Sequence, residues 1–161
     1  MNKSTVIERQ VVDWSAAVWA GVIAGIVFLI TNLVASAIAQ DNADITLRLM
    51  ASILMGSEVL FSEPTVGVIL VGLLIHFIFS ILFALLIAII IHRWGLVVGI
   101  VGGALLGLAL YAINFYTMSA IFPWFYAVTG WVMAITHIVF GATAGGVYEA
   151  LEVEEFIEVE A

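Results

Sequence analysis

Residues Gly95 to Tyr116 read GLVVGIVGGALLGLALYAINFY, and how this stretch is read decides the fold. Gly95, Gly99, Gly103 and Gly107 recur every four residues, so on a helix they form one smooth ridge. In water each glycine costs a helix about 1 kcal/mol relative to alanine. In lipid the backbone has nowhere else to satisfy its N–H and C=O groups, so the helix survives. The glycines then let a second backbone approach closely. Tyr111, Asn114 and Phe115 continue the same ridge. A helix that is smooth in one half and polar in the other reads as the packing centre of a membrane bundle.

Composition agrees with that reading. The 161 residues are 65% hydrophobic and 10% charged, whereas a soluble domain is about half apolar and a quarter charged. The expected fold is all-α: a polytopic membrane four-helix bundle of roughly four spans at ~20 residues each. The chain has no cysteine, which excludes disulfides, thiolate catalysis, iron–sulfur clusters and cysteine-held zinc. Four Lys/Arg in a chain of net charge −8 offer no basic surface for nucleic acid.

Working outward in chain order, residues 1–13 form a polar segment carrying Lys3 and Arg9, and Asp13 is placed to cap the first span. That span runs over about 14–40. Ala17, Gly21 and Gly25 repeat the four-residue small spacing, and the same face carries Asn32 and Ser36. Ala35-Ser36-Ala37 looks like a signal-peptide cleavage site, but the apolar run before it is too long for one, so a retained span is expected. Asp44 starts a short apolar helix, Ile45 to Met55, stopped at Gly56; with Arg48 as its one charge it reads as a helix lying in the interface or dipping into the bundle mouth. The second span, about 65–91, follows Glu63-Pro64 and carries Gly72, His76, Ser80, Ala84 and Ala88 on one stripe. A histidine facing lipid is costly, so this stripe faces protein.

His92-Arg93-Trp94 is a tight turn that predicts antiparallel neighbours in the second and third spans, the third covering about 95–118. The aromatic run IFPWFY, Ile121 to Tyr126, marks an interface anchor and a turn. The fourth span, about 128–149, lines up Gly130, Ala134, His137, Gly141 and Gly145. Six of the twelve acids lie between Glu149 and Glu160, and the tail 150–161 is expected to prolong the last helix into water. Leu151, Phe156 and Ile157 interrupt its charge, so docking on a basic cytoplasmic partner is the alternative to a solvated end. Lys3, Arg9 and Arg93 against Arg48 alone orient both termini to the cytoplasm.

Depth brings the polar side chains together. At 1.5 Å per residue, His76 and His137 lie near ~15 Å, close to the bilayer midplane. Asn32 and Tyr111 approach to within ~12 Å of the outer face by the same measure, and Asn114 lies a little nearer. The expected intramembrane cluster is therefore Asn32, His76, Ser80, Tyr111, Asn114, Thr136 and His137. Three readings follow. One is a buried hydrogen-bond network that holds helices together. A second is a b-type haem ligated by His76 and His137, with Arg48 pairing its propionates. A third is a proton or small-solute path, although no Asp, Glu, Lys or Arg lies within a span and no inverted repeat is evident. No carboxylate pair or metal triad points to an enzyme.

NFY at Asn114 to Tyr116, FPWF at Phe122 to Phe125, His137 to Gly141, WAGVIAG from Trp19 and the HFxxS piece at His76 resemble a family of small bacterial inner-membrane proteins of unknown function. Some members are loosely labelled sodium:proline symporters. The resemblance implies a four-span fold in the bacterial inner membrane and no established activity.

The functional expectation is a non-enzymatic membrane subunit or scaffold with no cofactor. It would pack through Gly21, Gly25, Gly72, Gly95, Gly99, Gly103, Gly107, Gly141 and Gly145. More ridges than one core needs imply a homo-oligomer or a place beside other subunits in a larger membrane complex, an energy-converting one among the candidates.

Overall fold

A computed structural model describes residues 6–40, 44–128 and 130–160; Lys3 and the side chains of Arg9, Ser36 and Ile157 lie outside what is described. The chain runs β1 (Val6–Gln10), α1 (Trp14–Gln40), α2 (Ile45–Met55), a 3₁₀ turn (Ser57–Leu60), α3 (Val66–Ile91), α4 (Leu96–Ile121), a second 3₁₀ turn (Pro123–Val128), α5 (Trp131–Leu151) and β2 (Phe156–Glu160). α1, α3, α4 and α5 are each long and apolar enough to cross a membrane, as in a multi-pass membrane protein. Local signals set their ends. Thr65 caps α3 by accepting from the Val68 N–H at 3.3 Å. Gly56 stops α2 and Gly95 precedes α4, both at positive φ, a backbone that side chains resist.

α5 is the hub. It packs along α1 on one side and α4 on the other, and it touches α3. α3 packs along α1 and α2, while α3 and α4 touch little beyond their turn. The expectation that the second and third spans are lengthwise neighbours is thus corrected. So is the placing of the glycine-ridge helix at the centre, since α4 is the least buried span, at 17%.

The reason lies in how the glycines pair. A methyl added at Gly103 would strike the carbonyl of Gly141, and one at Gly141 would strike the carbonyl of Gly103. Gly145 meets the Gly99 carbonyl, and Gly107 meets that of His137. The two ridges therefore close on each other, and backbone contact of this kind is available only to glycine. Gly21 and Gly25 lie against Ile81 and Ser80 of α3, and Gly72 lies against Leu47 of α2. These ridges pack within the chain, Gly99, Gly103 and Gly107 of α4 against Gly141 and Gly145 of α5 above all. Gly95 has open space around it and serves the turn before α4, not packing.

The end of the bundle where α1 begins and α5 finishes is filled by small side chains: Ala16, Ala17, Ala20 and Ala24 of α1, Ala84 and Ala88 of α3, and Ala144 of α5. Beyond it the tail does not continue as helix. Glu152 turns extended, and β2 pairs antiparallel with β1, Arg9 opposite Ile157 and Glu8 opposite Glu158. Alternation of Glu with Val, Phe and Ile is a period-two pattern, which suits a strand better than a helical turn. The acidic tail's partner is thus the chain's own N-terminal strand, and both ends lie on one side. Asp13 joins the pieces. Its carboxylate accepts from the Ala16 N–H at 3.0 Å, capping α1, and from the Val153 N–H at 3.2 Å, while its own N–H donates to the Tyr148 hydroxyl.

Two outcomes follow. Gly103→Val should destabilise the bundle by about 1–3 kcal/mol in a detergent unfolding titration, because overpacked backbone cannot yield. Gly102→Ala, whose nearest neighbour is Ile91 Cγ2 at 3.8 Å, should cost nothing. Equal loss in both variants would mean that α4 and α5 do not pair as described. For Asp13, the Ala16 N–H is the largest cause holding the carboxyl below the usual aspartate range, with Val153 and Ser15 adding to it against burial. A lowered folded value stabilises above the ordinary aspartate range and is lost as pH falls through it. Asp13→Ala should therefore cost about 0.5–2 kcal/mol near neutral pH, and the difference from wild type should shrink below about pH 4. A difference that stays constant from neutral pH to pH ~3 would contradict this role.

Candidate functional site

The predicted polar side chains separate into groups with different work. Asn32 of α1 is 1% exposed and donates to Thr136 Oγ1 of α5 at 3.4 Å. Its Oδ1 accepts from the Thr46 hydroxyl of α2, and Thr136 passes its own proton to the Met133 carbonyl. This three-helix tie takes Asn32 and Thr136 from the expected cluster, but its third member is Thr46, and neither histidine belongs to it. Such bonds hold a membrane bundle together modestly, by about 0.6 kcal/mol on average.

His76 and Ser80 form a second group on α3. His76 Nε2 lies 2.9 Å from the Gly25 carbonyl and 3.5 Å from Ser80 Oγ. A nitrogen facing a carbonyl at that distance carries the proton, so it cannot take one from Ser80. A serine beside a histidine here is not an activated nucleophile. His137 of α5 places Nδ1 2.8 Å from the Met133 carbonyl, so Nδ1 carries its proton and Nε2 is left as an acceptor. Tyr111 of α4 packs on that imidazole, with ring centroids 5.6 Å apart. Its hydroxyl accepts from the Gly130 N–H and keeps its own proton to donate.

These groups face one cavity of about 120 Å³, which His76, Ser80, Tyr111, Asn114 and His137 all help to line. Asn32 and Thr136 lie behind its wall. Thr46, Leu49 and Met50 of α2 and Phe125 of the second 3₁₀ turn roof it. Phe79 and Phe83 of α3 and Leu110 of α4 line its side, with Met118 near the end of α4, and these rim residues are only half-buried. The cavity therefore opens sideways, between helices that cross the membrane, toward the space that lipid tails fill. It exists because α4 is drawn to α5 and leaves α3.

The bis-histidine haem does not fit these residues. Phe28 packs against both imidazoles, at 5.6 Å from His76 and 5.1 Å from His137, where a porphyrin would need room. The cavity is smaller than the about 300–1,000 Å³ of ordinary small-molecule sites. Arg48 is turned away: its guanidinium donates to the carbonyls of Val59, Leu60 and Ser62 and pairs with Asp44 at 3.5 Å. It ties α2 to the turn that follows, and α2 packs on the bundle with Leu47, Leu49, Ala51 and Ser52 buried. Asp44 begins α2 without a side-chain cap bond. A conduction path meets a different obstacle. On the β side of the histidines, Phe28 and Phe140 pack with Ala20, Ala24, Ala84 and Ala144, and the Tyr148 hydroxyl lies beyond them, accepting from the Asp13 N–H.

Sequence reading missed several residues. Phe28 shares the Gly21, Gly25 and Asn32 face at helical spacing, a signal that was present. Ser119 lies two turns beyond Tyr111 on the lining face of α4, and its Oγ is buried with no hydrogen-bond partner. Glu149 was taken as a span end, but it packs against Gly99 within the last turn of α5. His137 lies only six residues after Trp131, where α5 begins, because the preceding residues form the 3₁₀ turn.

Compared with protein-family models, with curated proteins and with solved structures, the chain matches none. The resemblance to small bacterial inner-membrane proteins therefore rests on the quoted motifs alone.

Proposed function

We propose that this chain is a non-enzymatic membrane protein that takes a small amphipathic molecule from the bilayer and holds it between α3 and α4. The observation that carries the proposal is the sideways-opening cavity, in which Asn114, Tyr111 and His137 offer hydrogen bonds among aromatic and methionine walls. Ligand sites of this kind are mostly apolar with a few placed polar groups, and methionine lets the wall adapt. Binding is favoured over turnover because His76 is already committed to the Gly25 carbonyl and cannot act as a base toward Ser80. The inner-membrane location with both ends cytoplasmic belongs to this proposal. It is supported by Lys3, Arg9 and Arg93 standing against Arg48 and by the pairing of β1 with β2, which brings the two ends to one side.

Native mass spectrometry of the protein in mild detergent gives the test. Wild type should carry a small amphipathic molecule from the membrane, and Leu110→Trp, which fills the cavity from its rim, should carry it at about a tenth or less, the effect of losing ~1.4 kcal/mol. Equal retention by the variant, or nothing retained by wild type, would contradict the proposal.

A further inference from the structure

Resting on that reading, we infer that the cavity binds the single-ring head of a lipid-soluble hydroquinone, with its apolar tail leaving between α3 and α4. Size selects one ring. The space of about 120 Å³ is close to the roughly 150 Å³ of an apolar protein cavity that takes up benzene. A fused multi-ring lipid is too large for it, and an acyl chain alone would leave the polar lining unused.

The walls suit an aromatic face. Phe28 meets Phe140 edge to face at 6.1 Å, and Phe79 stacks on Phe83 at 5.9 Å. A ring entering here finds both edges and faces of aromatic side chains, the arrangements aromatic pairs prefer.

The polar lining specifies hydroxyl groups on that ring. His137 keeps Nε2 as an acceptor, because its Nδ1 proton is held by the Met133 carbonyl, so it receives a proton donor and not a bare carbonyl. Asn114 lies seven residues along α4 from Gly107, which meets the His137 carbonyl; that rise of about 10 Å is one a para-dihydroxy ring spans with a hydrogen bond at each end. Among the described residues nothing is hydrogen-bonded to the Asn114 amide, which both donates and accepts. A para-dihydroxy ring can therefore give one proton to His137 and reach Asn114 with its other oxygen. Ser119 Oγ, buried without a partner on the same α4 face, offers a further contact beyond Asn114. The oxidised quinone lacks the proton that His137 asks for and should bind more weakly.

The rim specifies the tail. Phe79, Phe83 and Leu110 line the cavity half-buried, well inside α3 and α4. A chain attached to the ring passes between them into lipid without crossing a polar layer.

Equilibrium binding to the full chain in lipid nanodiscs, corrected for partition into empty nanodiscs and kept free of oxygen, tests this. The probes are decylhydroquinone, its quinone, its dimethyl ether and decylbenzene. Decylhydroquinone should bind saturably, about tenfold more tightly than the ether or decylbenzene, the effect of one net hydrogen bond to a polar partner. The quinone should bind more weakly than the hydroquinone. Asn114→Leu breaks no bond within the described residues and should lower hydroquinone affinity about tenfold toward that of decylbenzene. His137→Phe should remove the preference for the hydroquinone over the ether. Decylbenzene binding as tightly as the hydroquinone would overturn the ligand class while leaving the bilayer-facing cavity intact. No saturable binding of any probe would overturn both. Unchanged affinity in Asn114→Leu, or a quinone bound as tightly as the hydroquinone, would remove the assigned contacts.

Discussion

Everything in this bundle depends on the backbone contact between α4 and α5. Gly103 and Gly141 approach so closely that neither position has room for a methyl group, and Gly99 with Gly145 repeats the contact one turn away. In lipid the apolar side chains of a helix gain little by leaving the tails for another helix. Close packing decides which helices pair, and glycine gives the closest packing. The ridge on α4 therefore takes the matching ridge on α5 in preference to its neighbour in sequence, α3.

That choice has a structural cost that becomes a feature. α3 is held elsewhere, by Gly21 and Gly25 of α1 along one face and by α2 at Gly72. Joined to α4 through the short turn at His92–Gly95, it cannot follow α4 along its length. A wedge is left between them, lined by Phe79 and Phe83 on one side and Leu110 on the other. α2, anchored by Arg48 on three carbonyls, closes the wedge at one end. The alanine core closes it at the other. Only the side toward lipid stays open, and there the free acceptor of His137 and the amide of Asn114 are reached.

Much of this was legible in the sequence and some was not, for physical reasons. Four spans, the extent of α2 and the capping by Asp13 and Thr65 follow from local signals: hydrophobic length, Gly56, and short polar side chains before apolar runs. The glycine ridges were legible as surfaces, but which ridge meets which is a matter of tertiary packing, and so α4 was placed at the centre when α5 holds it. The tail was read by charge instead of by alternation, so its pairing with the N-terminal segment was missed. Depth was the ground for expecting Asn32, His76, Ser80, Tyr111, Asn114, Thr136 and His137 in one region; five of them line the cavity, while Asn32 and Thr136 do not. Depth alone could not show that Phe28 stands against both imidazoles or that Arg48 is used up in holding α2. Those depend on side-chain direction around each helix.

The divergence of α4 from α3 is the central claim, and the chain has no cysteine to interfere with labelling it. Spin labels at Leu82 of α3, Leu105 of α4 and Ala142 of α5, measured as pairs by pulsed electron resonance in nanodiscs, test it most directly. The expected result is an α3–α4 separation clearly longer than the α4–α5 separation, which stays near the about 8–10 Å between axes of packed helices plus the label arms. An α3–α4 distance equal to or shorter than the α4–α5 distance would mean that the wedge is closed and the cavity does not exist.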